Sequence, residues 1–365
     1  MTQLKLARKY LFILSISCLL LLHACSSIDN TDDEPTARLL FCGDLMLDWG
    51  VMESCDANGY DYPLGEISSF IKDFDFRFCN LECVISENAS PRPGKKYIFR
   101  APPRYLEVLR SAWISGVSLA NNHVMDYGDS GLLDTMTNLN ESSFLITGAG
   151  TDAETASRPL VTNIRGIRLA VIGLYDLPYE DTYARSNGPG IARASVSRVQ
   201  SIMKQYDQWN DIVAVSIHWG DEYSDYPGRD QVALAHDLID AGVDIIIGHH
   251  PHVYQGVEIY KNRPVIYSLG NFLFGSINED VRNNLVAGFT ADKGGLKKMT
   301  IYPIHGTNHH NNPFRPERIG GEKAEELSTH LVHISMPLGK NFPENAVIRG
   351  NAIEFDFRAR TEEQK

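Results

Sequence analysis

Val243-Asp244-Ile245-Ile246-Ile247-Gly248-His249-His250-Pro251-His252 joins a short β-branched run to three imidazoles within four positions. A continuous apolar run of this kind suits a strand covered on both faces, which is how strands sit in α/β proteins. Ligands of such sheets gather where strands end, because strand interiors are packed while the loops that follow can project side chains into one crevice. A His-Pro-His turn at that place aims two ring nitrogens at one point and reads as a metal site, with a solvated histidine cluster as the alternative.

Outward from this stretch the same pattern recurs. Residues 38–42, 76–79, 117–120, 168–174 and 212–217 join 243–247 as expected buried strands, and 102–112, 130–140, 195–209 and 228–241 show the 3.6-residue spacing of helices between them. After residue 250 the chain changes to short strands at 253–259, 264–269, 285–290 and 298–303, divided by hairpin-like turns. A helix at 321–330 and strands near 332–336 and 352–357 complete the expectation.

Composition bounds the function. The chain has 365 residues, 43% apolar, 10% aromatic and 22% charged, the proportions of a folded globular protein with a large core. Thirty-four basic against 46 acidic residues leave a net charge of -12. Beyond the N-terminal Arg8-Lys9, the basic pairs Lys95-Lys96 and Lys297-Lys298 read as solvated loop charges. No nucleic-acid partner is expected from such a balance.

At the N-terminus Lys5, Arg8 and Lys9 precede an apolar run over 10–22. That run is shorter than the roughly 20 residues that span a bilayer, so residues 1–24 read as a secretory signal. Leu22-His23-Ala24-Cys25 is similar to a bacterial lipobox. The similarity implies that Cys25 is lipidated, that 25–36 is a tether, and that the protein sits in the bacterial cell envelope, on the outer membrane or cell surface. Cys42, Cys55, Cys79 and Cys83 then remain, as buried free thiols or one disulfide, with a thiolate metal site the lesser alternative for the Cys79/Cys83 pair.

The other strand ends are equally polar. Gly43-Asp44 follows the first strand, Asn80-Leu81-Glu82 the second, Asn121-Asn122-His123 with Asp126 the third, and His218-Trp219-Gly220 the strand before Asp221-Glu222. Asp44 alone reads equally well as a turn residue, and Asn121 and Asn122 as an Asx turn. A carboxylate in apolar company, such as Glu82, needs a partner, and a divalent cation is one. Carboxylates, an amide oxygen and several imidazoles together suit Mn, Fe or Zn, as one ion or as a pair about 3.5–4 Å apart. His123 would act as acid toward a leaving group. No Ser nucleophile elbow, P-loop or dinucleotide fingerprint is present.

Taken in this order, with Gly248 to His252 and Ser268-Leu269-Gly270-Asn271-Phe272, the motifs over about 38–275 resemble the CapA family of poly-γ-glutamate capsule biosynthesis proteins. That family in turn resembles calcineurin-like metallophosphoesterases. The resemblance implies an α/β four-layer α-β-β-α sandwich over 37–303, with 304–365 as a C-terminal extension on or beside it. It implies Asp44, Glu82, Asn122, His218, His250 and His252 as ligands of one or two divalent transition-metal ions, and His123 with Asp126 as the catalytic pair. His249, at the variable place of Gly-x-His-Pro-His, stays outside the ligand set. Met46 stands where the wider pattern Asp-x-His has a ligand, and Glu82 where Asp is usual, so one metal position is expected to be weaker. The implied activity is that of a metal-dependent hydrolase or transferase in synthesis or processing of poly-γ-glutamate or a related envelope polymer. Its partners would be that anionic polymer or its precursor, the membrane through the lipid anchor, and membrane-bound synthesis proteins. A non-catalytic scaffold of a synthesis or export complex and a periplasmic phosphoesterase are the alternatives.

Overall fold

Leu39 and Phe41 leave the first strand on one side, Leu40 and Cys42 on the other, and all four are buried. Alternating side chains thus let one apolar run feed two cores. The computed structural model describes residues 35–178, 180–206, 211–275, 278, 281, 283–306 and 314–357. The expected signal, Cys25 and residues 25–34 of the tether lie outside the described residues.

The strands of the first half are β1 (Ala37–Leu45), β2 (Phe76–Leu81), β3 (Gly116–Ser118), β4 (Leu145–Thr147), β5 (Leu160–Ile164), β6 (Ile167–Asp176) and β7 (Ile212–Trp219). Those of the second half are β8 (Ile245–His249), β9 (Val257–Tyr260), β10 (Arg263–Ile266), β11 (Asn271–Leu273), β12 (Asn283–Asp292), β13 (Gly295–His305), β14 (Val347–Arg349) and β15 (Ala352–Asp356). One sheet runs β14-β15-β13-β12-β1-β2-β3-β4, with β11 added alongside β1. The other runs β9-β10-β8-β7-β6-β5. Within the first, β1 to β4 are parallel, and within the second β6, β7, β8 and β10 are parallel.

The sheets face each other across a core that includes Leu39, Phe41 and Phe78 from one side and Leu169, Val171, Ala214 and Ile247 from the other. Helices cover the outer faces. Gly50–Asn58, Tyr62–Ile71, Leu106–Ser111 and Gly128–Glu141 lie on the first sheet, and Val196–Tyr206 and Arg229–Asp240 on the second. Val199, Ile202 and Met203 on one helix, and Ala235, Leu238 and Ile239 on another, recur at the three- and four-residue spacing that makes a buried stripe. The fold is the four-layer α-β-β-α sandwich expected from the sequence.

Several expectations are corrected. Residues 332–336 belong to the helix Gly321–Ser335, whose buried Ala324, Leu327, Leu331 and Ile334 continue one helical stripe. Within 253–259 only Val257–Tyr260 is strand, and the helix expected over 195–209 is Val196–Tyr206, with 207–210 outside the described residues. Lys297 and Lys298 are strand residues paired to Asp292 and Glu354, and Lys95 pairs with Asp126, whereas Lys96 is the exposed loop charge expected. The four cysteines are buried and free, with thiol pKa values raised by burial; that of Cys55 is pushed up to about 12. Residues 352–356 extend the first sheet by pairing with β13.

Phe41 stands between the sheets, its ring 5.8 Å from Phe78 and 5.8 Å from Phe289. Phe41→Ala is expected to lower unfolding free energy by about 3–5 kcal/mol in urea titrations. Val161→Ala, at a side chain 46% exposed, should stay within about 0.5 kcal/mol of the parent.

Candidate metal centre

Parallel strands end at the same edge of a sheet, and here the ends of β1, β2 and β3 in one sheet face those of β7 and β8 in the other. A bulge in β1 brings the two edges together. Phe41 pairs with Phe78 but Asp44 with Asn80, so three positions on β1 oppose two on β2. The extra residue turns Asp44 into the crevice. Gly43 permits this because a Cβ there would stand 1.9 Å from the Gly270 carbonyl oxygen. On the opposite strand a Cβ at Gly248 would stand 1.9 Å from the Tyr267 carbonyl oxygen.

Asp44 is fully buried. Its Oδ1 accepts a hydrogen bond from Asn80 Nδ2 at 2.8 Å, and its Oδ2 accepts the His250 backbone N–H at 3.1 Å. His249 Nδ1 lies 3.3 Å from Oδ1 and His252 Nδ1 lies 3.9 Å from Oδ2. Burial works to raise the Asp44 pKa, but His249, His252 and Asn80 outweigh it and hold the carboxyl below its ordinary value.

Glu82 is buried without that help. Neither carboxylate oxygen has a hydrogen-bond partner among the described residues, and Oε1 lies 3.9 Å from both His123 Nε2 and His218 Nε2. Burial, then the charge on Asp44, pushes its pKa well above the usual carboxylate range. Ligand atoms of Asp44, Glu82 and His218 all fall within 4.8 Å of one another. Asn122 Oδ1 meets His218 Nε2 at 3.0 Å, and Asn80 Nδ2 lies 3.2 Å from His218 Nδ1. The His218 and His250 rings are 4.7 Å apart.

Loops behind these residues fix their direction. Asn121 donates to Asn80 Oδ1 at 3.1 Å and accepts the backbone N–H groups of His123 and Val124, an Asx turn. Asn122 and His123 are thereby left to face the centre. His123 Nδ1 meets Asp126 Oδ2 at 2.7 Å and its ring lies 4.0 Å from that of Phe99. Asp126 also accepts from Lys95 Nζ and from the Phe99 backbone N–H, so His123 Nδ1 is the donor in that pair. His250 and His252 hold φ of 98° and 61°, a strained conformation that recurs at functional sites.

All eight side chains singled out for metal or catalysis, namely Asp44, Glu82, Asn122, His123, Asp126, His218, His250 and His252, thus surround one crevice. Cys25 lies outside the described residues. Four further residues join the crevice. Asn80 bridges Asp44 and His218, His249 stands against Asp44, Asn271 Oδ1 meets His252 Nδ1 at 2.9 Å, and Lys95 holds Asp126 and the Asn122 carbonyl. For Asn80 and Asn271 the signal was their place at strand ends; nothing local marked Lys95. Met46 is buried, and its Sδ takes the Asp48 backbone N–H at 2.9 Å.

Residues 38–276 match the profile of the family described as bacterial capsule synthesis protein PGA_cap. The chain belongs to that family. The Capsule biosynthesis protein CapA of Bacillus anthracis is 30% identical over 270 residues, 72% of this chain and 66% of that protein. The PGA biosynthesis protein CapA of Bacillus subtilis (strain 168) is 29% identical over 266 residues, 72% of this chain and 70% of that protein. The chain therefore spans about two thirds of the length of these relatives. Among solved structures, the calcineurin-like phosphoesterase YfkN from Bacillus subtilis aligns with 78% of this chain and 90% of its own at 13% identity and a TM-score of 0.44.

The donor set of this PGA_cap protein fits a divalent transition ion. Besides Glu82, both ring nitrogens of His249, Nδ1 of His250 and Nδ2 of Asn271 are buried without hydrogen-bond partners among the described residues. Buried polar groups are seldom left so, and a cation accounts for orphaned carboxylate and imidazole lone pairs together. Burial lowers the proton affinity of His218 strongly and that of His250 to about 3, keeping both rings in the neutral form that ligates metal.

Two opposite pH effects follow for the metal-free protein. His218 and His250 have folded values below the unfolded 6.5, so their stabilising contribution is present above 6.5 and is lost as pH falls. Glu82 has a folded value above the unfolded 4.5, so the folded state loses stability as pH rises past 4.5 toward that folded value. In chelator at about pH 8, Glu82→Gln is expected to raise unfolding free energy by on the order of 1–3 kcal/mol, because the parent must bury an unpaired carboxylate. The gain should shrink as pH falls toward 4.5; urea midpoints across that range measure it.

Proposed function

We propose that this PGA_cap protein is a lipid-anchored, metal-dependent hydrolase or transferase that acts in synthesis or processing of capsular poly-γ-glutamate or a related envelope polymer. The observation that carries the reading is the fully buried Asp44, Glu82 and His218 set, with both Glu82 oxygens orphaned. Asp44, Glu82, Asn122, His218, His250 and His252 would hold one or two Mn, Fe or Zn ions. Such an ion, when bound, supplies Lewis acidity and a water of lowered pKa.

The chain's own residues do the rest. Asp126 fixes His123 by its Nδ1–H, which leaves Nε2 toward Glu82 and the cavity above it. Burial lowers the His123 pKa while Asp126 works to raise it, so a proton carried at Nε2 is readily given to a leaving group. Lys95 holds Asp126 in place through its ion pair. Rings of Trp49, Phe99 and Phe274 wall the cavity against water. The partners are the anionic polymer or its precursor and membrane-bound polymer synthesis proteins, and the place of action is the bacterial cell envelope.

Metal analysis of the purified protein tests the core of this reading. About one to two transition-metal ions per chain are expected, with at least tenfold weaker retention in Glu82→Ala and His252→Ala. His123→Ala should hold metal yet slow polymer processing by about 10²- to 10⁴-fold. A metal-free parent would sink the enzymatic reading, and unchanged polymer output from a His123→Ala strain would favour a scaffold. For the anchor, Cys25→Ser is expected to move the protein from the membrane to the soluble fraction on fractionation; retention in the membrane refutes lipidation at Cys25.

A further inference from the structure

The chain neighbours Asn122 and His123 line two different cavities, and the linings differ in kind. One, of about 220 Å³, opens beside His123 and His252. Its wall is an unbroken arc of rings: Tyr97 to Trp49 at 6.1 Å, Trp49 to Phe99 at 4.8 Å, Phe99 to Phe274 at 5.9 Å, Phe274 to His252 at 5.0 Å, and His252 to Tyr223 at 6.0 Å. Trp49, Tyr97 and Tyr223 remain 41%, 51% and 57% exposed. Trp49 and Tyr223 also hold positive φ, 54° and 61°. Large rings left in water beside strained backbone, around a cavity, mark a place that something else covers.

Two polar groups complete this cavity. Asn271 lines it, fully buried, with Nδ2 lacking any partner among the described residues. Glu222 contributes a carboxylate to the lining. An apolar wall with a few convergent polar groups is the usual form of a small-ligand site. At about 220 Å³ the cavity is at the small end of ligand sites and suits a ligand of one ring. A carboxylate in the lining disfavours an anion there.

The second cavity, of about 340 Å³, has the opposite character. Arg92, Lys95 and Lys96 line it together with Asn122, and Asp181 is the only acid of its described lining. No aromatic side chain contributes. Arg92 pairs with Asp181 and Lys95 with the buried Asp126, so the charge of Lys96 is the excess on this side, and a positive excess suits an anionic chain.

A bond inside a homopolymer has the same chemistry to its left and to its right, whereas this crevice has a basic side and an aromatic side whose one charged group is the Glu222 carboxylate. We infer that the substrate is a junction, in which an anionic chain lying along Arg92 and Lys96 is joined to a sugar residue seated in the aromatic arc. The C–H face of the sugar packs on Trp49 and Tyr223, and its oxygens reach Asn271 Nδ2 and Glu222. The inference rests on the metal-centre reading above and narrows its substrate.

Calorimetric titration of the metal-loaded full-length protein with N-acetylglucosamine and with a γ-linked glutamate trimer tests it. Both probes should bind the parent. Trp49→Ala and Tyr223→Ala should each weaken the sugar about tenfold and the trimer less than about twofold, while Lys96→Ala should do the reverse. Should Trp49→Ala fail to fold, Tyr223→Ala decides, since that side chain is more than half exposed. A parent that binds the trimer but not the sugar overturns the inference, as does equal weakening of both probes by the aromatic variants, or sugar binding that the aromatic variants leave unchanged. A parent that holds no metal refutes the underlying reading instead, and is recognised beforehand by metal analysis.

Discussion

Asp44 is a carboxylate taken wholly out of water, and the arrangement of the two sheets around it is what makes that tolerable. Its oxygens are met by an amide on β2 and by a backbone N–H in the loop after β8, so each sheet supplies one hydrogen bond to the same group. An isolated charge in that position would cost several kcal/mol and would neutralise itself. Opposite imidazoles keep its pKa low instead. The bulge in β1, the bare Cα of Gly43 and the close passage of Gly270 all serve this one placement.

Around that anchored group the crevice is deliberately incomplete. Glu82, His249, His250 and Asn271 carry buried polar atoms with no partner among the described residues, and four residues at its edge, Trp49, Tyr223, His250 and His252, hold positive φ. Each orphan and each strained residue costs stability that the double hydrophobic core between and outside the sheets must offset. A divalent cation would satisfy the carboxylate and imidazoles, and a ligand with oxygens would satisfy the amide. The same atoms that weaken the fold are those available for chemistry.

Charge is distributed to match. The chain as a whole is acidic, yet beside the centre Arg92, Lys95 and Lys96 line one cavity, and rings line the other. Lys95 links the basic side to the chemistry, because its ammonium holds both Asp126 and the backbone carbonyl of Asn122.

What local patterning determines was legible from the residues alone. Runs such as Leu39–Cys42 and Ile245–Ile247 announce strands buried on both faces, and polar residues directly after them announce a crevice, because both properties depend only on neighbours along the chain. That pattern marks the strand ends; the choice of Asp44, Glu82, Asn122, His218, His250 and His252 as ligands, and of His123 with Asp126 as the catalytic pair, is what the resemblance to the CapA family implies. Residues 332–336 were misread as a strand because a short apolar run has no period of its own until the stripe from Ala324 to Ile334 is seen as one helix. Lys95, and the contact of His249 with Asp44, needed the tertiary structure. The Lys95 partner is 31 positions away, and the Asp44 contacts to His249 and to the His250 N–H span more than two hundred. Local sequence determined which side chains stand at strand ends; only the packing of one sheet on the other decided which of them share a charge, since electrostatic partnership depends on distance in space and on excluded water.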